Sequence, residues 1–219
     1  MSSRILDRIQ EAAIEEFARM GYNAATTKGI ADRAEVTEGS VYRLFGTKGE
    51  LFEQCVRTAV RRSYSAEDFE QYLLGRNLRE RLQNALTALW ARSQVVDFRL
   101  LMCAVVETPD LARKAIIPEF RRTEKLVVDA IAEEPSVREA IDSEIAARML
   151  LAGLRNLQLG ETVGEVSEKR SIDSVARLLD VFLSGVLSDG SSSTPNVVQR
   201  RTKRVNSTSS KSRKIRSSR

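Results

Sequence analysis

Three threonine-led helix starts follow one another in the stretch TTKGIADRAEVTEGSVYRLFGTKGELF, residues 26–52. Thr26 and Thr27, then Thr37, then Thr47 each stand just before a helix-forming run, at 28–34, at 38–44 and from 48 onward. Threonine suits these positions because its hydroxyl accepts one of the orphan N–H groups of a first helical turn. Glu50 follows Thr47 by three residues and completes a capping box. Two short helices joined by a turn of three or four residues make a helix-turn-helix, whose close crossing demands small residues at the contact. Ala31 and Ala34 are small. Val41 and Leu44 are spaced to face Ile30, Val36 plugs the angle between the helices, and Phe45 packs back on the preceding helix.

That preceding helix is predicted over 5–20, where Ile5, Ile9, Ala13, Phe17 and Met20 recur at three- and four-residue spacing. Gly21 ends it as a glycine able to take positive φ. Beyond residue 64 the pattern stays helical, with helices near 67–74, 78–94, 98–107, 110–115, 118–133, 141–160 and 172–188. Pro109, Pro118 and Pro135 fall between or at the starts of these, where proline does least harm. No clean strand alternation competes, so the fold class is all-α.

Composition narrows the function. There is no His, which weighs against zinc hydrolases and Ser-His triads, and no metal-ligand cluster, phosphate loop or nucleophile–base pair stands out. An enzyme is not expected, nor a cofactor. Two cysteines, Cys55 and Cys103, make no disulfide framework and suit a reducing cytoplasm. No apolar run is long enough to span a bilayer, so no membrane is expected.

The polar residues of the opening stretch read as a surface for double-stranded DNA. Gly39 and Ser40 lack bulk and allow close approach to a duplex, and free N–H groups at a helix start favour phosphate. Thr27 and Thr37 are candidate contacts beyond their capping. Tyr42 and Arg43 project from the exposed face, with Lys28 nearby, and Arg43 is the best candidate for pairing with guanine in the major groove. Glu38 either accepts from a cytosine amino group or suits the helix dipole. Lys48 opens a helix, the wrong end for a cation, and an outside phosphate would explain it.

Residues 5–52 resemble the DNA-binding domain of TetR-family transcriptional regulators, through Thr27, Ile30, Ala31, Ala34, Val36, Thr37, Gly39, Tyr42, Phe45, Lys48 and Leu51. Two positions depart from the family pattern. Glu35 stands where glycine is usual, and Leu44 where many members carry a polar or aromatic residue. The resemblance implies an N-terminal three-helix DNA-binding domain (1–49) and a helical effector-binding and dimerisation domain (50–188). It implies a repressor released from a palindromic operator by a small molecule. A sequence-tolerant architectural DNA-binding protein is the alternative.

The C-terminal helices add independent support. The apolar bands of 141–160 and 172–188 are too broad for one core face, which suits a homodimer formed through them. Candidate pocket residues are Trp90, Phe98, Met102, Cys103, Phe120 and Arg155. Arg155 stands mid-helix in an apolar stretch and needs an acid or an anionic ligand, with Glu107 as the candidate acid. From Ser191 onward there are nine basic residues and no acid. Setting them aside from the net charge of +5 leaves the rest at −4. Residues 189–219 are therefore expected to be a disordered basic tail. It adds phosphate contacts, contacts a partner protein, or has no role.

Overall fold

The computed structural model describes the backbone of residues 2–164 and 168–187, and side chains from 4–65, 68–164 and 173–187. The basic tail and its expected disorder lie outside the described residues. Every long element is a helix: α1 (Ser2–Ala24), α2 (Thr27–Arg33), α3 (Glu38–Phe45), α4 (Lys48–Tyr64), α5 (Ala66–Phe69), α6 (Leu78–Arg92), α7 (Val95–Glu107), α8 (Pro109–Ala115), α9 (Ile117–Ala132), α10 (Ser143–Thr162) and α11 (Glu168–Val186). A 3₁₀ turn, Glu70–Leu73, follows α5. The only β pairing among the described residues is an isolated bridge between Val137 and Leu187.

The caps follow local chemistry. Thr26 accepts from the Gly29 N–H, Thr37 from Ser40, and Thr47 from Glu50 within a complete capping box. Thr26, not Thr27, is thus the cap of α2. Asn77 caps α6 and Asp142 caps α10 in the same way. Pro109 and Pro118 occupy first-turn positions, where the missing N–H leaves no bond unmade. The helix predicted over 5–20 reaches Ala24 because a further turn follows a break at Gly21, whose φ is 79° and ψ 167°.

The turn between α2 and α3 carries the one positive-φ residue other than glycine among the described residues, Glu35 at φ 52°. It closes α2 with two crossed bonds, Glu35 N–H to Asp32 O at 3.2 Å and Val36 N–H to Ala31 O at 3.0 Å. This is a Schellman termination, which glycine makes without a Cβ penalty. An L residue here costs about 1 kcal/mol. Glu35→Gly is therefore expected to raise the melting temperature by roughly 2–4 °C for a domain of this size. A lower value in a thermal melt would sink the argument.

The core runs through both halves. Ile9, Ile14 and Phe17 of α1 pack with Ile30, Val41, Leu51 and Phe52, all buried. The Phe17 and Phe52 rings meet edge to face at 4.8 Å. Further along, Leu82, Leu86, Leu100, Ile116 and Ile131 fill the second half. Helix α7 contacts α1, α4, α8 and α10, and α10 contacts α9 and α11. The buried carboxylate of Glu16 anchors α2 to α1, taking Arg19 at 2.8 Å and Arg33 at 3.5 Å.

Asp97 is a cost inside this frame. It is fully buried, neither carboxylate oxygen has a hydrogen-bond partner, and its neighbour Arg62 stands 4.0 Å away while bonded to Glu11. Burial pushes the Asp97 carboxyl up to about 6, with Arg62 opposing and Glu11 adding. A raised folded-state pKa favours the protonated form. The stability Asp97 contributes is thus full below about pH 4 and is lost as pH rises through 6. At roughly 1.4 kcal/mol per unit the loss is about 2–3 kcal/mol. Asp97→Asn is expected to be more stable than the unaltered protein at pH 8 by that order and to lose the advantage near pH 4. Urea melts at the two pH values check this, and an equal difference at both would refute it.

Candidate nucleic-acid interface and cavity

Helix α3 presents the predicted surface, and the residues assigned to it divide into two groups. Lys28, Thr37, Gly39, Tyr42 and Arg43 are exposed, and Ser40 is half-buried. Thr27 is turned inward, with 7 % of its surface exposed. Its hydroxyl donates to Glu38 Oε1 at 2.5 Å and meets the Tyr42 hydroxyl at 3.0 Å. Thr27, Glu38 and Tyr42 therefore form a polar link that ties α2 to α3. The alternative roles weighed for Glu38, base reading or dipole balance, gain a third, holding the angle between the helices.

Gly39 has no structural need to be glycine. Its φ is not positive, and an added Cβ would meet only the Thr37 hydroxyl at 4.0 Å. Within the chain the space is free, and the absence of a side chain clears the outer surface of α3.

Lys48 is held from within the chain, and no outside phosphate is needed to explain its place at a helix start. Its ammonium donates to the main-chain oxygens of Tyr22 at 2.9 Å, Ala25 at 3.1 Å and Asn23 at 3.4 Å, and lies 4.7 Å from the Tyr22 ring centroid. These carbonyls close the end of α1, the negative pole of that helix. Three acceptors match the three donors of an ammonium. The cation has an internal explanation, which only the approach of α1 and α4 reveals.

The same end of α1 is gripped from α7. The Tyr22 N–H donates to Cys103 Sγ at 3.2 Å, the Asn23 N–H donates to Glu107 Oε2 at 2.9 Å, and Cys103 donates to Glu107 Oε1 at 3.4 Å. Burial, opposed by the Tyr22 N–H and reinforced by Glu107, pushes the Cys103 thiol up to about 11, so it stays protonated and donates. Cys103 and Glu107 thus serve α1. Glu107 is not the partner of Arg155, and Cys103 does not border the cavity described next. Trp90, also a pocket candidate, belongs to the core.

A cavity of about 200 Å³ lies between α4, α7, α9 and α10. Phe98, Met102, Phe120 and Arg155 border it, joined by Tyr64 and Leu101. Tyr64 and Phe120 meet edge to face at 4.5 Å, and the Arg155 guanidinium carbon stands 5.1 Å from the Phe120 ring centroid. A narrow crevice shares Tyr64, Phe120 and Arg155 with the cavity and adds Thr123 and Gln158. Thr123 and Gln158 escaped the sequence reading. Their signal was a polar residue on an otherwise apolar stripe: Thr123 precedes Val127 and Ala130, and Gln158 follows Leu150 and Leu154. No group of His, Cys, Asp and Glu among the described residues could hold a metal, and no described helix is long and apolar enough to cross a membrane.

Comparison with known proteins agrees with this architecture. Residues 9–55 match the model for bacterial regulatory proteins of the tetR family. The HTH-type transcriptional repressor KstR of Rhodococcus jostii is 26 % identical over 185 residues, which is 84 % of this chain and 83 % of KstR. Among solved structures, the TetR-family regulator PfmR of Thermus thermophilus superposes with a TM-score of 0.67 at 21 % identity, over 81 % of this chain and 98 % of PfmR. The ketosteroid transcriptional regulator KstR2 of Mycobacterium tuberculosis gives 0.66 at 22 %, over 86 % and 97 %.

Proposed function

We propose that this chain, a DNA-binding transcriptional regulator of the TetR family, works as a homodimeric repressor that a small molecule releases from a near-palindromic operator. Residues 1–49 would read DNA, 50–188 would bind the effector and the second subunit, and the tail 189–219 would add phosphate contacts. Two free thiols and a DNA target suit the cytoplasm.

The observation that carries the reading is the exposed face of α3, with a structurally dispensable glycine, Gly39, in its first turn and Arg43 on its outer side. Such a helix enters a major groove with its first residues toward the bases. Lys28, Thr37 and Ser40 would meet phosphates, and Arg43 would read a base. Arg43→Ala is expected to cost about 1–3 kcal/mol of operator binding and to relax preference at one base pair. Lys28→Ala would weaken all sequences alike and reduce the salt slope by about one. Anisotropy titrations at several salt concentrations separate the two.

The outer faces of α10 and α11 support a dimer. Val175, Leu179 and Leu183 of α11 and Leu150 and Leu154 of α10 are buried within the subunit, yet Val181 is 73 % exposed and Met149 67 %. Between the helices an apolar hollow of about 330 Å³ is bordered by Ile145, Met149, Val181 and Phe182. A second copy covers such a face through a twofold axis, and that symmetry is what a palindromic operator mirrors.

Control by an effector would run through α7. One side of that helix borders the cavity with Phe98, Leu101 and Met102, and its last turns hold the end of α1 through Cys103 and Glu107. A ligand that favours one position of α7 would move α1, and with it the two reading helices. Selection of bound sequences from random duplex DNA by the full chain tests the core of the proposal. A palindromic consensus is expected; no enrichment would favour an architectural DNA-binding protein instead.

A further inference from the structure

We infer that the ligand of this cavity is an apolar carboxylate, whose head lies against Arg155, Thr123 and Gln158 and whose chain fills the space bordered by Phe98, Leu101 and Met102. The inference rests on the proposal that the cavity is the effector site, and it adds the chemical class.

The head group follows from an inventory of donors. Arg155 has no acidic partner among the described residues, and its guanidinium lies over the face of Phe120. Thr123 and Gln158 are 3 % and 4 % exposed, and Thr123 Oγ1 and Gln158 Nε2 lack hydrogen-bond partners. Gln158 Oε1, the acceptor at this point, already faces the Tyr64 hydroxyl at 3.5 Å. What stays unmet is a guanidinium, an amide N–H and a hydroxyl, all able to donate. Neither the cavity nor the crevice is lined by an acid. An acceptor with negative charge satisfies such a cluster, and an ammonium is repelled by it.

Size selects the acid. The crevice beside Thr123 and Gln158 has about 10 Å³, room for a single oxygen. A planar carboxylate offers one oxygen to the crevice and the other to Arg155, whereas a phosphate monoester is too bulky. The adjoining cavity of about 200 Å³ is bordered, Arg155 and the Tyr64 hydroxyl apart, by aliphatic and aromatic side chains, so the rest of the molecule is hydrocarbon.

Calorimetric titration of the full chain with decanoate, decanol and decylammonium, each also added to the protein on its selected operator, tests the class. Decanoate is expected to bind at least tenfold tighter than decanol, a margin typical of one charge-assisted bond, and decylammonium weakest of the three. Thr123→Val should narrow the margin of decanoate over decanol severalfold, Arg155→Met should abolish it, and Arg155→Lys should restore part. Equal affinity for decanoate and decanol, or a margin that survives Arg155→Met, overturns the inference. If both release DNA with equal affinity, the effector site stands and the carboxylate class falls. If none binds, the cavity is not the effector site and both fall.

Discussion

Val181→Glu is expected to turn the proposed dimer into a monomer that no longer holds its operator. Val181 is 73 % exposed in the subunit, so a carboxylate there leaves the monomer fold intact. In a dimer the same carboxylate lies against the apolar hollow between α10 and α11, and burying it unpaired costs several kcal/mol. A monomer reads one half-site, and most of the gap between specific and nonspecific binding, roughly a thousandfold or more, is lost. Light scattering and operator titration at the same protein concentration give the two readouts. A variant that remains dimeric would place the subunit contact elsewhere. Met149→Glu, on the facing helix, is expected to repeat the result.

The second large effect is expected at Gly21. Its φ of 79° and ψ of 167° lie in a region that side chains other than glycine hardly enter. An added Cβ would also stand 2.3 Å from Glu107 Oε1. Glu107 is flexible and could swing away, but only by giving up its bond to the Asn23 N–H. Strain and the lost bond together cost about 3–5 kcal/mol, so Gly21→Ala should lower the melting temperature by roughly 10 °C. The strain persists without the clash, so adding Glu107→Ala to Gly21→Ala should recover little. Because the same turn offers carbonyls to Lys48, operator affinity should fall as well. A variant that melts within 2 °C of the unaltered protein, in buffer near pH 7, would sink this account.

These two sites differ in how far the sequence announced them. The uncovered faces of α10 and α11 were legible because helical periodicity alone reveals an apolar band too wide for one neighbour. The caps at Thr37 and Thr47 were legible because capping is a matter of residues three apart, and so was the strain at Glu35. Lys48 misled for the opposite reason. Its partners stand 23–26 positions earlier in the chain, and only tertiary packing brings the end of α1 to it. Thr27 misled in the same way, since its hydroxyl is taken by residues of the next helix. For the cavity, large side chains were a fair guide to Phe98, Met102 and Phe120, but they cannot distinguish a core tryptophan from a wall. For the crevice beside it, polar residues on buried stripes, Thr123 and Gln158, were the signal.

The hydrogen-bonded set of Thr27, Glu38 and Tyr42 also bears on redesign. A library meant to retarget the protein to a new operator should centre on Arg43, the proposed base reader, and hold those three and the cap Thr37 fixed, since phosphate contacts carry no sequence information. Randomising Tyr42 or Glu38 as well would disturb the angle between α2 and α3, and clones would be discarded for misplacing the proposed reading surface rather than for lacking one.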